Sequence, residues 1–508
     1  MRHGNLFGLF LATGIASDLA RVTDECRSAI EPLLEEMDSL VVAFLSQPIT
    51  PEATFDFETA LQNRLREAGR RIVEIVFNQI EAADAQSVPP RVERDGQEYS
   101  RKNNKTKNRG GIGTLFGTIM LLRFSYEPLQ EARDDAQKSF SPLEMLLGII
   151  AGNATPALAE RVSQAAANHS QEELLAHLRR DHDVSWSVTV LRNVTKTVSE
   201  GVAEHVHDAQ KVQLLGWLKE ANDSKGRRKI VLAVGRDGIM LPIRGEATYK
   251  EGSVATVTVY DRRGRRLGTV YLGQMPEAYQ VTLSEQLTRL VSEVLAEWDG
   301  PWPRLVYITD AGYHPTEYFA CVLEKMEHPR HPGQAMDWMW IVDFYHASEY
   351  ISKLAQVLFD DPRAAHAWSR RMRHWLKRKP NAVFRILHSA AKHHCEWEFP
   401  PKAEEIYQGA YNYLLGHKDH MDYSDYRRMG LPIGSGVTEA ACKTVFTQRF
   451  KASGMSWGIE GGQAILTLRL AQLSRVWDTV YRQYLALQPL PNLPTKHRIA
   501  FATYQKAA

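Results

Sequence analysis

Between Lys229 and Val342 the hydrophobic pattern changes period in an order that few folds accommodate. Residues 230–243 are a strand-like run, and 255–260 and 268–272 read as two more strands joined by the turn Arg262-Arg263-Gly264-Arg265-Arg266. Behind Thr282-x-x-Glu285, which reads as a capping box, Leu283, Leu287, Leu290, Val291, Val294 and Leu295 recur at helical spacing. After Gly300-Pro301 come a strand at Arg304–Thr309, a helix at 315–326 and a strand at 339–342. Three antiparallel strands, a helix, then strands alternating with helices imply a mixed sheet with helices on its faces.

Acids stand at the marked positions of this pattern. Asp237 lies in Val234-Gly235-Arg236-Asp237-Gly238 on the first strand, Asp310 ends the fourth, and Glu439 follows Gly434-Ser435-Gly436 at the start of a helical segment. This is the element order of the ribonuclease H-like fold, in which the first acid lies on the first strand and the second ends the fourth. Three carboxylates meeting at one sheet edge suit two Mg²⁺ ions, because hard cations take oxygen ligands and a metal pair activates the attacking and leaving oxygens of a phosphodiester. Asp237, Asp310 and Glu439 are therefore the expected catalytic and metal-binding residues, with Mn²⁺ able to replace Mg²⁺. Asp343, three residues before His346, is the rival for the second position; the spacing suits a hydrogen-bonded pair that orients a catalytic group.

The 129 positions from Asp310 to Glu439 exceed what such a fold needs, so residues 347–429 are expected to be a helical insertion domain within a core formed by 226–346 and 430–480. Residues 363–379 carry seven Arg or Lys and no acid, interleaved with Trp368 and Trp375. That density assigns Arg370, Arg371, Arg373 and Lys377 to a DNA backbone, against the plainer reading of a solvated helix face. Lys443, one turn after Glu439, is expected to hold a DNA phosphate. Arg449, Lys451 and Trp457 are expected to continue a strip toward flanking DNA, the alternatives being surface charge for the cations and core packing for Trp457.

Upstream, residues 1–88 read as a helical region, with Leu61, Leu65, Ala68, Ile72, Ile75, Val76 and Ile80 on one stripe, either a packed hairpin or a dimerisation helix. Residues 89–135 combine a basic run with a small β unit: 101–109 hold five positive residues and no acid, either a solvated loop or a phosphate grip. Residues 136–225 read as short helices, with Ser170-x-x-Glu173 as a capping box and a third helix from Ser187. A helix-turn-helix would offer Arg192, Asn193 and Lys196 to a DNA groove, although helical bundles share the pattern. Residues 481–508 read as a C-terminal tail.

Tyr307-Ile308-Thr309-Asp310-Ala311-Gly312-Tyr313-His314, Ile341-Val342-Asp343-Phe344-Tyr345-His346-Ala347, Met372-Arg373-His374-Trp375-Leu376-Lys377, the segment 431–443 and Gly454-Met455-Ser456-Trp457 together resemble DDE transposases of bacterial insertion sequences, most closely the Kra-type group. The resemblance spans residues 230–478. It implies a metal-dependent recombinase that cleaves and transfers strands at element ends, with Asp237, Asp310 and Glu439 as its triad. Double-stranded DNA is then the partner, at terminal inverted repeats and at the target, with a homo-dimer or higher homo-oligomer on it. Members often carry paired cysteines near the N-terminal β unit; this chain has none there, so no zinc is expected. A host nuclease of the same fold, or a domesticated DNA-binding protein, are the rival readings.

Length and composition agree with a large soluble enzyme. The 508 residues are 44% hydrophobic with a formal net charge of +2, so any grip on DNA must come from local clusters. Cys26, Cys321, Cys395 and Cys442 lie far apart, which fits a reducing cytoplasm and, for a DNA enzyme, the nucleoid. Residues 6–16 are apolar after Arg2 and His3, and are expected to form a buried first helix rather than a signal peptide. No run reaches the ~20 apolar residues of a membrane span.

Overall fold

The computed structural model describes residues 16–81, 85–94, 96–129, 139–395 and 399–489. Most of the apolar stretch 6–16 and the end of the chain from residue 490 lie outside these. Two compact units divide the chain, Met1–Gly201 with Tyr481–Ala508, and Val202–Val480.

In the first unit, helices Ala16–Leu45 and Pro51–Ile80 pair, the second capped where the Thr50 side chain accepts from the Ala53 N–H. Arg71 donates to the Ala29 carbonyl, and Phe44 stacks on Phe57 at 4.6 Å. The apolar stripe of the second helix is only partly covered: none of its residues is fully buried, and Leu65 is exposed. Strands Arg91–Arg94, Gln97–Arg101 and Tyr126–Pro128 form an antiparallel sheet around Tyr99, Tyr126 and Phe140. The basic run is partly engaged locally, with Lys102 paired to Glu127 at 2.5 Å and Arg101 and Lys105 over the Phe124 ring.

Helices Pro156–Ala166 and Gln171–His182 follow, and the Ser170–Glu173 capping box forms as expected. The third helix is not short: Val188–Asp223 runs 36 residues, because no glycine pair or proline interrupts it. Arg192, Asn193 and Lys196 are exposed on its first turns, where Arg192 donates to Gln171 and Lys196 lies 3.7 Å from Glu200. The expected tail begins as helix: Tyr481 donates to the Pro156 carbonyl, and the Tyr484 ring lies where a Cβ on Gly201 would meet it at 2.1 Å.

The second unit is built on a five-stranded sheet of β1 (Val231–Leu241), β2 (Lys250–Tyr260), β3 (Arg266–Gln274), β4 (Arg304–Thr309) and β5 (Trp338–Val342). Their spatial order is β3-β2-β1-β4-β5, with β1, β2 and β3 antiparallel and β1, β4 and β5 parallel. Helix Val281–Glu297 buries all six leucines and valines of its stripe. Its cap differs from the expected Thr282 box: the Glu277 carboxylate accepts from the Thr282 and Leu283 N–H groups, reaching forward from the preceding turn. The segment after β4 is helical for Tyr313–Tyr318 and then widens into a π turn at Phe319–Leu323, before a hairpin the pattern did not foretell, Glu327–His328 with His331–Ala335.

Helices Phe344–Leu358, Pro362–Arg378, Ala382–His394, Pro401–Gly416 and Tyr423–Met429 form the insertion. It does not have a separate core. Trp368, Met372, Leu376 and Ile386 belong to the same buried cluster as the sheet residues Leu232, Val306 and Ile341, so the insertion is an extension of the sheet's own hydrophobic layer. Helix Gly436–Ala441, a π turn at Cys442–Thr447 and helix Ile459–Leu473 complete the unit. No helix among the described residues is long and apolar enough to cross a membrane.

Candidate active site

Asp237 and Asp310 are made neighbours by sheet register. Parallel β1 and β4 pair Ile308 with Gly235; two residues further along each strand come Asp310 and Asp237, on chains one inter-strand spacing apart, ~4.8 Å. The third acid arrives from outside the sheet. Gly235 leaves its face bare, and Thr438 fills the space: a Cβ on Gly235 would lie 2.0 Å from Thr438 Oγ1. Thr438 is also hydrogen-bonded to Thr256 on β2 at 2.9 Å. This docks the first turn of helix Gly436–Ala441, and with it Glu439, beside Asp237.

Each acid has an oxygen held by a local donor. Gly238 N–H donates to Asp237 Oδ1 at 2.7 Å, Gly312 N–H to Asp310 Oδ1 at 3.0 Å, and the Ser435 hydroxyl to Glu439 Oε1 at 3.1 Å. Ala311, between Asp310 and Gly312, has a φ of 63°, a left-handed backbone that costs an alanine about 1 kcal/mol. The Tyr413 hydroxyl donates to the Asp310 carbonyl at 2.7 Å, anchoring that strained turn to the insertion.

A residue that the motifs did not single out completes the group. Cys442, one turn beyond Glu439, donates through its thiol to Asp237 Oδ2 at 3.2 Å. Burial pushes the Asp237 carboxyl up to about 6, the Cys442 thiol opposes the rise, and the charges of Asp310 and Glu439 add to it. The Cys442 thiol itself is held far above its ordinary range by burial and by the Asp237 charge, so it is a donor and not a nucleophile. Its only forewarning in sequence was helical spacing from Glu439.

On the opposite face of β1, Arg236 is 2% exposed, donates to Ser284 and Gln280, and lies over the Tyr318 ring at 4.4 Å. Strand alternation puts this buried cation on the far side of the sheet from Asp237. Among the described residues, no Lys or Arg is paired with any of the three acids.

Asp343 has a different task. It is fully buried, and its Oδ1 accepts from the N–H groups of Tyr345 (2.5 Å) and His346 (2.8 Å), capping helix Phe344–Leu358. Its Oδ2 accepts from the Ser435 N–H, tying the loop before Glu439 to the end of β5. The expected pairing of Asp343 with His346 is thus made through the His346 amide; the ring lies 3.7 Å from Glu349 and edge-on to Tyr350 and Tyr413.

The cations are divided. Arg370 and Arg371 are exposed on helix Pro362–Arg378, Arg373 is half-buried, and the half-buried Lys377 lies over the Phe344 ring at 5.1 Å. Lys443 and Lys451 are exposed. Arg449 requires correction: it is 4% exposed and stacked 4.8 Å over the Trp457 ring, while the half-buried Trp457 takes the packing alternative, donating to the Phe450 carbonyl with its backbone bonded to Pro242 and Arg244. Both pack near the end of β1, and Arg449 is too buried to offer the surface charge expected of it. The π turn, which adds a residue after Glu439, makes the difference, since charge alone does not reveal which way a side chain turns.

Among the described residues, the ligand atoms of His207, Asp208 and Glu293 all lie within 4.8 Å of one another, but this group contains its own counter-ion: Lys211 Nζ lies 3.4 Å from Glu293 and 3.9 Å from Asp208. No protein-family model matches the chain, and no curated protein matches it either.

Proposed function

We propose that this protein is a DDE-type transposase with a ribonuclease H-like core, cutting and joining DNA strands at the ends of an insertion sequence. The observation that carries the reading is the convergence of Asp237, Asp310 and Glu439 at the edge of a sheet ordered β3-β2-β1-β4-β5, with the acids on the first strand, after the fourth, and on a later helix.

The donor set fits a pair of hard divalent cations. It consists of carboxylate oxygens, none is neutralised by a described Lys or Arg, and Asp237 carries the electrostatic strain of two like charges beside it. Asp237, Asp310 and Glu439 would hold two Mg²⁺, or Mn²⁺ in their place. When bound, the metal pair supplies charge stabilisation for the attacking and leaving oxygens of the phosphodiester. The chain's own groups fix the geometry. Gly238, Gly312 and Ser435 each hold one oxygen of an acid, Cys442 holds Asp237 Oδ2, and Asp343 pins the loop that delivers Glu439. The exposed Arg370, Arg371, Lys443 and Lys451 are available to duplex phosphates, and Arg192, Asn193 and Lys196 to an element end.

The test uses purified protein and DNA carrying the element's inverted repeats. Nicking and joining are expected in Mg²⁺ or Mn²⁺ and not in EDTA, and Asp237→Asn and Glu439→Gln should bind DNA yet leave it intact. Cleavage that survives either substitution removes the triad assignment, and nicking without joining moves the reading to a nuclease.

A further inference from the structure

We propose that the second unit carries a phosphate-binding strip for duplex DNA at the end of its sheet opposite the acids. The strip centres on an open pocket of about 520 Å³ between the last turns of helices Pro362–Arg378 and Tyr423–Met429. Lys377, Arg378, Lys379, Arg427, Arg428 and His374 line it; Ser424 is the remaining lining residue, and no acid contributes.

Helix dipoles do not account for so much charge. One cation at each helix end offsets the exposed carbonyls, and Arg427 does this by donating to the Lys377 carbonyl at 3.5 Å. Arg428 is paired with Asp425 at 2.6 Å but remains exposed. Like charges crowded into one concavity repel unless an anion is supplied, and a phosphodiester offers oxygens that guanidinium and ammonium groups bind with charge-assisted hydrogen bonds.

The strip extends beyond the pocket. Gly430 follows Arg428 by two residues, and the Arg228 side chain lies on it, where a Cβ would meet Arg228 Cδ at 2.5 Å. The Arg228 guanidinium in turn reaches the β2–β3 turn, donating to the Arg263 carbonyl at 3.4 Å and resting against Gly264. Arg227, Arg228, Arg263 and Arg265 are exposed there.

Position separates this surface from the catalytic one. Arg304, the first residue of β4, donates to the Met429 carbonyl, whereas Asp310 follows the last residue of β4. The two ends are therefore about one strand apart, ~20 Å at 3.3 Å per residue, or roughly six base pairs of B-form DNA. A backbone bound here cannot present its phosphates to the acids at the same point, so the strip grips DNA away from the scissile bond.

The choice of DNA as the phosphate source rests on the function proposed above, but the test does not depend on cleavage. The full chain is titrated with a fluorescent random-sequence duplex over a range of salt. The triple variant Lys379→Gln, Arg427→Gln, Arg428→Gln should weaken binding and flatten the slope of log K against log salt by roughly 0.9 per lost contact, about 2 to 3 in all. A control, Arg385→Gln, Lys392→Gln, Lys402→Gln, removes the same charge from exposed positions elsewhere in the insertion and should leave the slope nearly unchanged. An equal loss in the control reduces the strip to a general field and overturns the proposal. Unchanged duplex binding in the strip variant overturns it too, and if inorganic pyrophosphate binding is then lost by calorimetry, the pocket is a small-anion site. Asp237→Asn, which tests the catalytic reading, should leave both slopes as they are.

Discussion

Two aspartates that directly follow neighbouring strands look equivalent in sequence, yet their surroundings assign them opposite work. Asp310 is half-buried, with one oxygen held by a local amide and its charge felt by Asp237. Asp343 is fully buried, and both of its oxygens accept backbone N–H groups. Asp310→Asn is expected to abolish nicking while the melting temperature and duplex binding stay at wild-type values. Asp343→Ala removes a cap and a loop anchor at once, and should lower stability by about 2 to 3 kcal/mol in chemical denaturation. Asp343→Asn should keep measurable nicking; if it is inactive with unchanged stability, the metal role passes to Asp343.

At the scale of elements, the critical contact is the helix–sheet approach at Gly235. The helix of Glu439 sits so close to β1 that any side chain at 235 displaces Thr438. Gly235→Ala is expected to destabilise the protein by about 1 to 3 kcal/mol and to lose nicking more steeply than stability, because Glu439 moves with the helix. Adding Thr438→Ala should recover part of both, measured by denaturation and by nicking of end DNA; no recovery would mean that the helix is positioned from elsewhere. This approach explains what could be read from the chain and what could not. The strands and the stripe Leu283–Leu295 were legible because periodicity is local. The Glu277 cap, the Cys442 thiol and the inward turn of Arg449 were not, since each depends on a partner or a π turn that only the folded backbone supplies. The helix Val188–Asp223 ran past its expected length for the opposite reason, since nothing in its sequence stops a helix.

Across the whole molecule, acid stability offers a check on the second unit that is independent of its activity. Hydrogen bonds from His207 and Arg289 hold the Glu293 carboxyl down to about 2. Its folded value is therefore below the unfolded one of about 4.3, so its contribution is complete above that value and is lost as pH falls toward 2. Glu293 is a third exposed, and screening reduces the effect to about 1 kcal/mol. Glu293→Gln should lower stability at pH 6 by that amount and make little difference near pH 2; equal effects at both would remove the ionic explanation.

Alternation along β1 also decides what a mispaired chain would look like. Arg236 and Asp237 are adjacent in the chain but lie on opposite faces of the sheet, one sealed beneath the helix Val281–Glu297, the other beside Cys442 in the acid cluster. A register slip of a single residue would exchange them, placing a guanidinium among the acids and an unpaired carboxylate in the apolar layer. Misfolding by that smallest step yields a molecule that is both unstable and self-neutralised, so a mispaired chain loses its acid cluster together with its stability.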